Sequence, residues 1–164
     1  MYVSLYDPSP AVNFRTMLIV NVQLKNLNAS RIFPKPNIGL PGGVMNTTKY
    51  LSDGVGGRYP LYTLDTSGVI YVRSTVTRPY TLGDFFQVWW EPLGTNNTLT
   101  NNTLNLPYHN GTDTCGKTFC SPFYWTMCLQ APDSTVYVPN EDWGNHVLTG
   151  QEIIFLAYSQ IGCA

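Results

Sequence analysis

The sequence predicts an all-β protein, an antiparallel β-sandwich or jelly roll with long irregular loops, and three observations carry that prediction. Apolar residues alternate with polar ones in several segments of strand length, which is the period of a sheet with one wet face. Clusters of Gly, Pro and Asn separate these segments and are typical of turns. No segment has the periodicity of an amphipathic helix of three turns. Because the chain has 164 residues, we expect one β-sandwich domain over residues 1–164.

A hairpin made of Val69–Thr77 and Asp84–Trp90 is predicted at the centre of the sheet. The first arm alternates, with Tyr71 and Arg73 on its polar face. The second arm is apolar on both faces, and its aromatic side chains pack well on a pleated surface. It is therefore predicted to be a central strand.

Five further strands are expected along the chain. They are Met1–Tyr6, Thr16–Leu27, Phe123–Gln130, Thr135–Val138 and Gln151–Ile161. In the segment Thr16–Leu27 the alternation places Leu18 and Val20 on a buried face and Ile19 on a mostly polar one. The last segment is an apolar run of strand length, so we place it in the middle of a sheet.

Two long loops interrupt the strands. The first, about 33–62, is rich in Pro and Gly and has no sustained periodicity, apart from a possible short strand at Val44–Leu51. The second, about 94–114, is a polar run of Asn and Thr. Long loops in a compact domain are usually functional or held by a partner.

Composition restricts the classes of function. Only 12% of the residues are charged and the net charge is −1, so the cluster of Lys and Arg that nucleic-acid binding needs is missing. No stretch approaches the length of about 20 apolar residues that spans a bilayer, and we expect no membrane insertion. A surface so poor in charge favours an extracellular or virion-surface location.

Four cysteines, Cys115, Cys120, Cys128 and Cys163, are disulfide candidates. Their spacing lacks the two close pairs of a structural zinc site, and we predict no metal. In an oxidising compartment the simplest pairing joins Cys115 to Cys120 and Cys128 to Cys163. In a particle assembled in the cytosol all four would be reduced.

Asn-x-Ser/Thr sequons mark candidate glycosylation sites. They occur at Asn28, Asn46, Asn96, Asn101 and Asn110. A chain so rich in Asn and Thr also produces sequons by composition alone, so these sites indicate a glycosylated exterior only if the protein enters a secretory pathway.

No catalytic constellation is recognisable, and we predict neither an enzyme nor a cofactor. The sequence lacks the motifs of a serine hydrolase, a zinc protease or a phosphate loop. Glu141 and Asp142, beside Trp143 and close to His146, form the one carboxylate cluster worth testing for sugar hydrolysis. Paired carboxylates in a turn are more often solvated than catalytic.

Aromatic side chains near loops are the stronger candidates for ligand binding. Tyr and Trp combine a flat apolar face with a polar edge, so they can stack on a sugar ring or anchor an interface. The candidates are Tyr59, Tyr62, Tyr80, Tyr108 and Trp143. The alternative is that most of them are partly buried anchors of turns.

Both ends of the chain carry short motifs of a known family. The segments Ser4–Pro10 and Ile154–Gln160 resemble the opening and closing strands of adenovirus fibre heads. That resemblance implies an antiparallel sandwich, a homotrimer and receptor binding through loops. The cysteines, the glycine-rich loop before residue 62 and the tail Ile161–Ala164 depart from the family.

The leading functional hypothesis is a non-enzymatic viral surface protein, a fibre, spike or capsid head domain, that forms a homotrimer and binds a host receptor or glycan. A second hypothesis is a shell or filament subunit that assembles by strand and loop exchange. A third is a secreted carbohydrate-binding module.

Overall fold

The computed structural model of the chain describes residues 10–23, 29–89, 124–159 and 163. Within these residues it contains one α-helix, α1 (Leu82–Trp89), and seven strands. The strands are β1 (Val12–Gln23), β2 (Ala29–Ile32), β3 (Leu61–Tyr62), β4 (Val69–Ser74), β5 (Tyr124–Gln130), β6 (Val138–Asn140) and β7 (Ile153–Ser159). The predicted strand at Met1–Tyr6 and the loop at about 94–114 lie outside the described residues.

All seven strands belong to one sheet, in the order β3-β4-β1-β7-β5-β6, with β2 paired to the far half of β1. The described part of the chain is therefore largely β, as predicted, but a sandwich or jelly roll is not confirmed. The sheet is mixed, and the prediction of a purely antiparallel sheet is wrong for one pair. The central strands β1 and β7 run parallel, whereas the other pairs are antiparallel.

The first arm of the predicted hairpin is confirmed as β4. It alternates as expected, because Ile70, Val72 and Ser74 are buried while Tyr71 and Arg73 remain partly exposed. The middle of strand β1 is buried on both faces, whereas one mostly polar face was predicted. It buries Ile19 as well as Leu18 and Val20, because Phe155 of β7 lies directly opposite Ile19 on the second face.

The second arm, Asp84–Trp90, is not a strand, because helix α1 covers most of it. A reciprocal capping box begins the helix: the Thr81 N–H donates to Asp84 Oδ2 at 2.9 Å, and the Asp84 N–H donates to Thr81 Oγ1 at 3.2 Å. Leu82, Phe85 and Trp89 are buried at helical spacing. The prediction failed because this short aromatic run fits both the period of a strand and the period of a helix.

The long loop 33–62 follows the outer edge of β3. The bridge between Ile38 and Val44 and a 3₁₀ turn at Leu51–Asp53 give it structure, and the short strand expected at Val44–Leu51 is wrong. Gly39 has φ +75, and a Cβ there would collide with the Leu61 carbonyl oxygen. Only glycine therefore suits this close approach of two backbones.

The last three strands follow the predictions with shifted ends. Strand β5 matches Phe123–Gln130, and β7 matches Gln151–Ile161 and lies mid-sheet between β1 and β5. The strand expected at Thr135–Val138 begins three residues later, as β6. A disulfide joins Cys128 of β5 to Cys163, with 5.8 Å between their Cα atoms. This is the pairing expected for an oxidising compartment, and Cys115 and Cys120 lie outside the described residues.

One side of the sheet carries the main hydrophobic core. Helix α1 and the long loop pack against this side, which we call the helix face, and its strand residues include Leu18, Val72 and Leu156. The opposite side, which we call the open face, carries the alternate residues of the same strands. At the start of β1 these include Asn13 and Arg15, which are exposed.

Candidate binding groove on the open face

Most of the aromatic residues predicted to bind a ligand are not at the surface. Tyr59, Tyr62 and Tyr80 are 0%, 6% and 2% exposed, so the expectation of exposed stacking faces is wrong for these three. Each ring is packed into the core or against a neighbouring strand. Trp143 is half-buried and packs against the core, and Tyr108 lies outside the described residues.

Tyr80 belongs to a hydrogen-bonded group that we call the Asp53 cluster, made of Asp53, Ser74, Arg78 and Tyr80. The Tyr80 hydroxyl donates to Asp53 Oδ2 at 2.8 Å and lies 2.6 Å from Ser74 Oγ. Arg78 Nε lies 2.7 Å from the same carboxylate oxygen. Burial, together with the hydrogen bond to Asp53, raises the pKa of Tyr80 to about 12. The cluster joins the long loop to the end of β4 and is structural.

Tyr59 is a second buried phenol, and it has a different environment. In the part of the chain that the structure describes, its hydroxyl has no hydrogen-bond partner. Burial, reinforced by the Asp84 carboxylate, raises the pKa of Tyr59 well above its ordinary value. The ring therefore stays neutral and acts as core packing.

An open groove of about 600 Å³ lies where β1 begins, beside β4 and the turn that precedes β7. We call it the Arg15 groove. Its lining residues come from three separate parts of the chain: Asn13, Phe14, Arg15, Tyr71, Gly150 and Gln151. Arg15 and Tyr71 are direct partners across the β1–β4 pair, so their side chains lie on the same face of the sheet.

Glu152 holds the turn that forms one wall of the groove. Its carboxylate accepts from the Thr149 N–H at 3.0 Å and lies 2.9 Å from His146 Nε2. Its backbone carbonyl accepts from the Met17 N–H at 3.0 Å and from Thr16 Oγ1 at 3.2 Å. These bonds fix the turn against β1 from both its side chain and its main chain.

Gln151 lies at the tip of this turn in a left-handed conformation with φ +61. A non-glycine residue rarely adopts this conformation, and such strain clusters at functional sites. The Gln151 N–H donates to the Arg15 carbonyl at 2.7 Å, which leaves the exposed Gln151 side chain at the rim of the groove.

Part of the β1 edge is open inside the groove. The Arg73 N–H donates to the Pro60 carbonyl, on the side of β4 away from β1. Asn13 is the partner of Arg73 on β1, so its own N–H and C=O groups point away from β4 and toward the groove. The Arg15 N–H points the same way as its carbonyl. Parallel pairing with β7 begins only at Met17. Within the described residues, no backbone group bonds to the N–H groups of Asn13 and Arg15.

The ring of Tyr71 is held by a stack. It lies 5.4 Å from the ring of Tyr62 at an interplanar angle of 14°, and Arg58 lies over Tyr62 on the same side of the sheet. Tyr71 stands between Tyr62 on β3 and Arg15 on β1, so its second face is turned toward the groove. A flat apolar surface beside hydrogen-bonding groups can stack on a sugar ring.

The groove offers several groups that can bind a ligand. The described side chains that line it include two amides, a guanidinium group and a phenol. Glu141 and Asp142, proposed for sugar hydrolysis, are exposed, whereas His146 is buried against Glu152 instead. Among the described residues no three potential ligands are placed to hold a metal ion.

The sequence contained a signal for part of this site. Alternation in β4 placed Tyr71 and Arg73 on the wet face, but only loop aromatics were selected as candidates. Asn13, Arg15 and Gln151 carry no local motif, because they meet only through the contact between β1 and the turn before β7. The sequon residue Asn46 is exposed, and the other four sequons lie outside the described residues.

Comparison of the chain with protein-family models, with curated proteins and with solved structures finds no match. The resemblance to adenovirus fibre heads therefore stays a prediction. No helix in the described ranges is long and apolar enough to cross a bilayer.

Proposed function

We propose that the chain is a non-enzymatic attachment domain of a viral surface, and that it binds a host glycan through the Arg15 groove. The observation that carries the proposal is the groove itself, which combines unpaired hydrogen-bond donors with a pre-ordered aromatic face. Amide side chains at Asn13 and Gln151 supply the donors and acceptors that sugar hydroxyls need. Cys128–Cys163 is consistent with an extracellular location.

A sandwich or jelly roll remains the fold that we propose for the whole domain. Ile19, Ala157 and Cys128 lie on the open face of β1, β7 and β5, and they are 6%, 1% and 0% exposed. Burial on this face is what a second layer would produce. The Arg15 groove lies beyond this buried region, at the exposed start of β1.

The test of binding is a screen of the purified chain against immobilised oligosaccharides, with the variant Arg15→Ala. Arg31→Ala is the matched control, because Arg31 is also exposed on a strand but lies on β2, outside the groove. We expect the chain and Arg31→Ala to bind the same glycans and Arg15→Ala to lose them. Equal binding by all three proteins, or no binding by any, would overturn the proposal.

A homotrimer on the virion surface is the assembly that we propose, and light scattering at several concentrations tests it. A stable mass of three chains is the expected result. A monomer at every concentration would overturn the trimer, and a monomer that retains polysaccharide would identify a secreted carbohydrate-binding module.

A shell or filament subunit is the second candidate, favoured by two exposed valines next to or on an edge strand. Val136 and Val138 are 61% and 57% exposed. Two features oppose assembly by strand addition. Pro139 removes an N–H from the edge strand β6, and backbone bonds from Asn37–Gly39 cover the outer edge of β3. Open-ended growth in solution would favour this candidate.

A further inference from the structure

Arg15 in the groove and Arg73 beside it have no acidic partner among the described residues. Arg73 lies on β4 directly opposite Asn13, so it shares the open face with Arg15. Within the described part of the chain, neither guanidinium group forms an ion pair. The Arg73 Nε atom is buried and has no hydrogen-bond partner among the described residues. A buried donor without an acceptor is costly, and an anion beside it would remove that cost.

The carboxylates of the described residues do not neutralise these cations. Asp53 pairs with Arg78, Asp84 caps helix α1, and Glu152 pairs with His146. The remaining described carboxylates are exposed and form no ion pair with either arginine: Asp65, Asp133, Glu141 and Asp142. The chain as a whole has a net charge of −1. A local concentration of positive charge in a nearly neutral protein therefore distinguishes this end of the open face.

The open edge of β1 adds backbone N–H groups, which attract an anion as the arginine side chains do. The N–H groups of Asn13 and Arg15 both point into the groove. Backbone N–H groups next to a guanidinium group form a cradle for carboxylate oxygens, because charge-assisted hydrogen bonds are shorter and stronger than neutral ones. The aromatic face of Tyr71 lies one strand away on the same side of the sheet.

We propose that the Arg15 groove binds a carboxylate-bearing sugar of the uronic-acid type, an inference that rests on the proposed glycan-binding function. The carboxylate is held by the Arg15 guanidinium group and the N–H groups of the β1 edge. The sugar ring packs on the free face of Tyr71. Its hydroxyls bond to the side-chain amides of Asn13 and Gln151.

The geometry favours a sugar acid over an acidic peptide. A peptide that binds as an added strand needs a long row of unpaired backbone groups. Here the turn at Gln151 bonds to the Arg15 carbonyl and β7 occupies the edge from Met17 onward, so the row of unpaired groups ends at Arg15 on its C-terminal side. A compact ligand with one carboxylate and several hydroxyls matches this short opening.

The experiment compares two ligands that differ at one carbon. Oligosaccharides ending in glucuronic acid and in glucose are titrated into the full chain and followed by ligand-observed NMR. We expect the acid to bind about tenfold more tightly or better, since hydrogen bonds to charged groups are stronger than neutral ones. Binding of the acid should weaken as salt concentration rises.

Arg15→Gln should reduce binding of the acid about tenfold and reduce binding of glucose by a smaller factor, because the amide keeps hydrogen bonds but removes the charge. The matched control, Arg31→Gln, should bind both ligands as the parent chain does.

The possible outcomes separate the two proposals. Equal affinity for the acid and for glucose, lost together in Tyr71→Ala, would overturn the charge inference and leave the glycan groove standing. No binding of either ligand, together with a negative glycan screen, would overturn both. Direct binding of an acidic peptide or of inorganic phosphate, without binding of either sugar, would overturn both proposals and assign the groove to another anion.

Discussion

The Asp53 cluster and the Arg15 groove both place arginine beside tyrosine, but they use the charge differently. In the cluster, Arg78 faces a carboxylate that is 4% exposed and is also bonded to Tyr80. Arg15 in the groove and Arg73 beside it form no ion pair with a described carboxylate. The contrast indicates that the first charge is used to hold the fold, and it supports our proposal that Arg15 is available to a ligand.

The largest effect is expected when the Asp53 carboxylate is removed from the Asp53 cluster. Asp53→Ala leaves the Tyr80 hydroxyl and the Arg78 guanidinium group without their shared acceptor. Breaking such a buried group should lower the free energy of unfolding by about 3 kcal/mol. Urea unfolding measures the loss, and Asp133→Ala, at an exposed turn, should change stability by no more than about 0.5 kcal/mol. A similar small effect for Asp53→Ala would mean that the cluster does not stabilise the fold.

The same replacement at two arginines compares the two regions directly. Arg78 belongs to the Asp53 cluster, and Arg73 lies on β4 beside the Arg15 groove. Arg78→Met strands the buried Asp53 carboxylate, and we expect it to cost about 1–2 kcal/mol, less than Asp53→Ala because the Arg78 side chain is 40% exposed. Arg73→Met removes a buried Nε donor that has no partner among the described residues, and it keeps a similar shape. It should change stability by about 0.5 kcal/mol or less. If the two variants were equally destabilised, the distinction between paired and unpaired arginines would be wrong.

Alkaline titration probes the paired region without mutation. The pKa of Tyr80 is raised from 10.0 to about 12, so the folded state holds its proton more tightly than the unfolded state does. The associated stability is fully present below pH 10 and is lost as pH rises toward 12. Urea midpoints should fall over this range, and less steeply in Tyr80→Phe. Identical pH profiles for the two proteins would exclude Tyr80 as a source of the alkaline loss.

The smallest effect is expected for the groove itself. Arg15→Gln should leave the free energy of unfolding within about 0.5 kcal/mol of the parent chain, because Arg15 is exposed and has no ion pair in the described part of the chain. Thermal unfolding of the two proteins checks this. A large destabilisation would assign Arg15 to the fold and remove the main support for a ligand site.

The sequence predicted the strands whose signal is local and failed where the signal is tertiary. Alternation was sufficient for β4, and an apolar run of strand length was sufficient for β7. Helix α1 was missed, although the residues Thr81 and Asp84 stand at the spacing of a capping box. Local capping chemistry would have corrected the period-two interpretation of the aromatic run.

The candidate site could be predicted only in part, for a physical reason. Tyr71 and Arg73 were placed on the wet face of a strand, since that follows from alternation alone. The groove also needs the turn before β7. This turn contacts β1 through Thr16 and Glu152, which are separated by 136 positions in the sequence. Neither segment alone contains a pattern that predicts this contact.

The parallel contact between β1 and β7 also governs when the sheet can form. Strand β1 can pair with β4 as soon as both have left the ribosome, but among the described strands the partner of its other edge is β7, which is synthesised last. Pairings so distant in sequence form slowly, and an unpaired central edge is prone to aggregation in the meantime. Yield on expression should therefore depend on chaperones and on the rate of translation, even though the finished sheet protects that edge at its centre.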